Sequence, residues 1–121
     1  MDREYIKFSE HTENQYKKAL TLAQNLPMHD LLKINLAINY SVFLYEIKNA
    51  REEAKAFAKQ AFDECMKSID ELNKSKSLET ITAIKILKEN ITLWDIEVEA
   101  AESFENEEFF RKKAQEFKVD V

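Results

Sequence analysis

LLKINLAINYSVFLYE, residues 31–46, is the stretch whose reading decides the fold. Wound at a helical period it is apolar around most of its circumference, with Leu32, Leu36, Ile38, Phe43 and Leu44 surrounding a narrow polar line. That line is Asn35, Asn39 and Glu46, at i, i+4 and i+11, with Val42 between them. A helix this apolar is buried or lines a groove. A buried amide without a partner costs about 1–3 kcal/mol. The two asparagines therefore bridge to neighbouring helices or hold a ligand, and sequence physics alone weighs these readings equally. LKENITLW, residues 87–94, has the same character around Asn90.

Composition narrows the fold class. Among 121 residues there is no Gly and one Pro, so tight turns and phosphate-cradling loops have no material. A hydrophobic content of 45% beside 34% charge predicts a packed globular chain rather than a disordered one. Net charge of −5 argues against general nucleic-acid binding. Cys65 is the only cysteine, which excludes an internal disulfide and a multi-cysteine metal site. No run of transmembrane length and no leader is visible, so the expected setting is cytoplasmic or also nuclear, away from membranes.

Outward from residues 31–46, the pattern stays helical. Tyr16, Ala19, Leu20 and Ala23 recur at i, i+3, i+4 and i+7, and Pro27 ends that segment. Tyr5, Phe8 and Thr12 continue the stripe or form a separate short helix ending near His11. Asp30 stands where an N-cap is needed for a helix from Leu31 to about Lys48, and Asn49 ends it or caps the next. A third helix, from Arg51 to about Asn73, repeats apolar residues at three and four, with Cys65 on its seam as a packed thiol rather than a nucleophile. After NKSKS at 73–77, with Ser77 as a cap, a last helix carries two apolar stripes. The expected architecture is an all-α antiparallel bundle over residues 1–96. An acidic tail follows over 97–121, in which a short amphipathic segment with Phe109, Phe110 and Phe117 folds back or stays solvated.

No catalytic pattern is present. His11 and His29 share no ligand spacing, and nucleophile-elbow, zinc-hydrolase and phosphate-loop motifs are missing. The chain is expected not to be an enzyme and to need no cofactor. What remains physically is a peptide groove. Asparagine amides both donate to and accept from an extended backbone. Asn39 and Asn90 can play that part, with Ile38, Val42, Ile86 and Leu93 as apolar wall and Trp94 at its end.

NLAINYSVFLYEI at 35–47, AKAFAKQAFDE at 54–64 and LKENITLW at 87–94 occur in the order of the C-terminal helices of the 14-3-3 family, which they resemble. LPMHD at 26–30 is similar to that family's P-T-H-P turn. The resemblance implies an all-helical, oligomeric adaptor of signalling that binds phosphoserine or phosphothreonine segments of partner proteins without catalysis or cofactor. It implies backbone clamping by Asn39 and Asn90, an apolar wall of Ile38, Val42, Ile86 and Leu93, and roles nearby for Glu46 and Trp94. The family's phosphate-holding Arg–Tyr pair has only EYIKF at 4–8 as a counterpart, which sets Lys7 for the Arg and Phe8 for the Tyr across a deletion. Aligned without that gap, these residues belong instead to the helix that follows. The upstream Lys and Arg of the pocket have no counterpart, so the phosphate site is expected to be incomplete. The rival expectation is a helical scaffold that self-associates without binding phosphopeptides.

Overall fold

The computed structural model describes residues 2–68 and 78–116. Four helices account for most of them: α1 (Arg3–Ala23), α2 (Leu31–Val42), α3 (Arg51–Lys67) and α4 (Leu78–Glu116). No strand occurs among the described residues. The all-α expectation holds. The expected cap Ser77 and the linker at 73–77 lie outside the described residues.

Each start and stop has a local cause. Asp2 caps α1, accepting from the Glu4 N–H at 3.1 Å. Asp30 caps α2 as expected, accepting from the Leu32 N–H at 2.9 Å. Between them the chain turns at Pro27, whose carbonyl accepts from the Asp30 N–H. The Lys33 ammonium donates to the Leu26 carbonyl at 3.3 Å and so closes the turn from the far side. α1 is unbroken, so Tyr5, Lys7 and Phe8 share a helix with Tyr16. A separate short helix ending near His11 is not formed, because nothing between them breaks the hydrogen-bond ladder.

The long helix expected to reach Lys48 changes character at its end. α2 gives way to a π-helical turn, Phe43–Ile47, closed by the Lys48 N–H on the Phe43 carbonyl at 3.0 Å. Asn49 then takes φ 58°, the left-handed conformation, and the Ala50 N–H reaches back to the Leu44 carbonyl at 2.8 Å. With no glycine in the chain, asparagine is the residue that adopts this conformation at least cost. The widened turn orients Phe43, Leu44 and Tyr45 inward together, and all three are buried.

α2 is the middle of the bundle, packing against α1, α3 and α4, while α3 also packs along α4. The main core joins Tyr40, Phe43, Leu44 and Tyr45 to Ala54 and Ala58 of α3 and to Leu87, Ile91 and Trp94 of α4. Ala54 and Ala58 are fully buried, which lets the α3 backbone approach its neighbours closely. A smaller cluster gathers Ile34, Cys65, Ala83 and Ile84. The Cys65 thiol donates to the Met28 carbonyl at 3.2 Å, and burial pushes its pKa up, in keeping with a packed thiol. Tyr16, Tyr40, Phe43 and Phe57 form a ring cluster with centroids 5.0 to 6.3 Å apart.

The described part of the far end, up to Glu116, differs from the expected separate tail, and the expected Phe117 lies outside the described residues. α4 crosses residue 96 without a break and continues to Glu116, so the segment runs on instead of folding back over the bundle. Val98 is the last half-buried position, and every described side chain from Glu99 onward is exposed.

A candidate peptide-binding face on α2 and α4

The candidate residues sit on two helices that pack against each other. On α2, Ile34, Ala37, Tyr40 and Ser41 turn into the core. The helical period then leaves Asn35 and Asn39 exposed, with Ile38 and Val42 half-buried at the margin of the buried side. Glu46 is exposed beyond the π turn. On α4 the buried side is Ala83, Ile84, Leu87, Ile91 and Trp94. Ile86 and Leu93 lie off that side, 42% and 51% exposed, and Asn90 is half-buried beside them. The sequence left open whether the asparagines bridge between helices. No side-chain hydrogen bond holds the amide of Asn35, Asn39 or Asn90 among the described residues. Two adjacent helices thus offer uncommitted amides bordered by accessible aliphatic side chains, a composition suited to an extended chain.

Trp94 is placed differently from the groove end expected from its sequence pattern. It is 4% exposed and stacked on Tyr45, with ring centroids 4.6 Å apart and planes 10° apart. Its indole backs the face from inside the core. Lys7 is exposed on α1.

Three polar arrangements brace these elements, none legible as a sequence pattern. Glu13 of α1 accepts from the Lys48 ammonium at 2.8 Å and from the Tyr40 hydroxyl at 3.5 Å. The Lys48 ammonium holds the Glu13 carboxyl below its ordinary range, and Glu13 raises Lys48 in return. Asp95 of α4 pairs with Lys55 at 3.0 Å and Lys59 at 3.3 Å, and its carboxyl is held low chiefly by the Lys55 hydrogen bond. Tyr45 donates to Glu97 at 2.5 Å beneath the Arg51 guanidinium, which stacks 5.3 Å from the ring centre. Burial, then that bond, pushes the Tyr45 phenol up to about 12. Lys48, Lys55 and Lys59 are therefore already paired with carboxylates and are poorly placed to receive a phosphate.

A cleft of about 330 Å³ opens between α1, α2 and α3, lined by Leu20, Met28, Ile34, Phe57 and Cys65 among others. None of the candidate face residues lines it. No group of three His, Cys, Asp or Glu side chains among the described residues is placed to hold a metal ion. No described helix is long and apolar enough to cross a membrane.

Fold and face together define an all-α helical module with an accessible amide-and-aliphatic surface. The family model described as 14-3-3 protein matches residues 1–95, and the chain belongs to the 14-3-3 family. The match takes in α1, so EYIKF at 4–8 lies inside the matched region, on the same unbroken helix as Tyr16. A 14-3-3 protein homolog of Encephalitozoon cuniculi is 41% identical over 91 residues, which is 75% of this chain and 35% of that protein. Human 14-3-3 protein eta is 40% identical over 87 residues, covering 70% and 35%. The 14-3-3-like protein D of Nicotiana tabacum is 41% identical over 88 residues, covering 71% and 35%. The chain thus spans about a third of the length of the curated relatives it matches.

Proposed function

We propose that this chain is a non-catalytic adaptor module that holds an extended segment of a partner protein, phosphorylated on serine or threonine, across the α2–α4 face. The observation that supports it most directly is the pair of uncommitted amides, Asn39 on α2 and Asn90 on α4, each beside accessible aliphatic groups. In this reading the amides clamp the peptide backbone, and Ile38, Val42, Ile86 and Leu93 take its apolar side chains. Glu46 borders the face and Trp94 stiffens it from behind. Lys7 is the proposed phosphate contact, and the setting is cytoplasmic signalling.

Phosphate recognition by this chain alone is weak in this proposal. Each charge-assisted hydrogen bond contributes about 1.5–3 kcal/mol. Lacking two of them lowers affinity by several orders of magnitude, at about 1.4 kcal/mol per tenfold. Fluorescence anisotropy with matched phosphorylated and unphosphorylated peptides tests the reading. Millimolar-range binding is expected, lost in Asn39→Ala and Asn90→Ala, with a modest preference for the phosphorylated form. Binding that is indifferent to both substitutions would remove the support for this face.

A further inference from the structure

We propose that the cleft between α1, α2 and α3 is a binding site for a free α-amino acid with a large apolar side chain. The cleft lies apart from the α2–α4 face, since none of the face residues lines it. Its volume of about 330 Å³ falls within the range of small-molecule sites, about 300–1,000 Å³. The floor is apolar. Ile34, Cys65 and Leu87 line it and are buried, with Met28 of the turn and Phe57 of α3 beside them. Water on such a floor finds few hydrogen-bond partners, so an aliphatic or aromatic side chain displaces it at a gain.

Two of the lining residues are charged, Lys33 of α2 and Glu64 of α3. They stand on different walls and carry opposite signs, yet they do not pair with each other. Among the described residues neither belongs to any ion pair. Both act on the Cys65 thiol. After the larger effect of burial, Glu64 pushes its pKa up and Lys33 pulls it down. The Lys33 ammonium donates to the Leu26 carbonyl at 3.3 Å and to the Met28 sulfur at 3.4 Å. Both acceptors are neutral, so one of its three donors is left and its charge is not offset. Glu64 accepts from the neutral Gln60 amide at 3.4 Å and keeps further acceptor capacity.

An ammonium and a carboxylate held apart beside an apolar floor complement one class of ligand. A zwitterion sets its own carboxylate on Lys33 and its own ammonium on Glu64, and so makes both charge-assisted bonds at once. A simple carboxylate gains Lys33 but meets repulsion from Glu64, and a simple amine meets the reverse. An uncharged molecule covers both protein charges without pairing either. The floor then favours the side chain of leucine, methionine or phenylalanine over the hydrogen of glycine.

Titration calorimetry of the full chain with L-leucine, L-methionine and L-phenylalanine tests this. A single saturable site is expected for at least one of them, with glycine weaker by about tenfold or more. N-acetylation removes the ligand's ammonium and amidation removes its carboxylate, and each should weaken binding to a similar degree. Glu64→Gln, which keeps an acceptor for Gln60, should weaken it likewise. Lys33→Met, which keeps the aliphatic stem, should do the same. Lys33 also closes the turn, so its thermal midpoint is measured alongside, and Glu64→Gln decides the matter where Lys33→Met is destabilised. Cys65 is the only cysteine and reports where the ligand sits. A saturating amino acid should slow its alkylation by iodoacetamide several-fold. Asn39→Ala and Asn90→Ala should leave these results unchanged, so this site and the peptide reading stand or fall separately. No saturable binding up to the solubility of the amino acids overturns the proposal. So does equal binding of glycine or of the N-acetyl derivative, a preference for uncharged indole over L-phenylalanine, an affinity indifferent to Glu64→Gln, or alkylation of Cys65 at an unchanged rate.

Discussion

Tyr45 shows how one side chain joins a core to a surface. Its ring is buried flat against Trp94, while its hydroxyl reaches Glu97 at 2.5 Å. Hydrogen bonds to charged groups contribute about 1.5–3 kcal/mol when shielded, and Glu97 is exposed. Tyr45→Phe is therefore expected to lower stability by about 1–2 kcal/mol in urea titrations. The phenol's folded value, about 12, lies above its ordinary value of 10.0. Its contribution is complete below pH 10 and fades as pH rises from there through 12. Burial also raises Tyr40, which acts in the same direction, so the alkaline loss in Tyr45→Phe should shrink rather than vanish. At the acid end the sign reverses. The Glu13 carboxyl is held low by Lys48, so its contribution is present above its ordinary value of 4.5 and lost as pH falls through the lowered one. Glu13→Gln should flatten part of the acid limb of the stability curve, and an unchanged limb would mean that the pair is solvated in solution.

The π turn and the start of α3 form the element whose details carry most leverage. Ala50 occupies the α3 N-cap with no side-chain hydrogen bond to the first turn. Ala50→Asp should supply that acceptor and gain about 0.5–1 kcal/mol, seen as a higher thermal midpoint. About two helical turns further along α3, the fully buried Ala58 has no space for a larger side chain. Ala58→Leu should cost about 1–3 kcal/mol through overpacking, or more if α3 is forced off α2. Finding Ala58→Leu neutral would indicate that the α2–α3 contact yields more readily than its burial suggests.

For the molecule as a whole, α4 divides into a half that makes the core and a half that leaves it. Removing residues 99–121 takes away no described core residue. Dilute solutions of that truncated chain should unfold within about 0.5 kcal/mol of the full chain. A large loss on truncation even at high dilution would show that the projecting half contributes within the monomer.

The sequence by itself determined the helical class and three of the helix boundaries, because periodicity, Asp30 and Pro27 are local signals that act within a few residues. It also singled out Asn39 and Asn90, which stand out against apolar neighbours. It could not place Trp94, because an indole on an apolar stripe reads alike whether it faces a groove or the core. The tertiary structure settled that by stacking it on Tyr45. Nor did local pattern distinguish a folded-back tail from a continuing helix. The acidic run 97–108 has good helix formers and no breaker, so the ladder of α4 continues through it. The pairs Glu13–Lys48 and Lys55–Asp95 were likewise decided only by the fold, because partners 35 or 40 residues apart meet through helix packing, and no spacing rule encodes that distance.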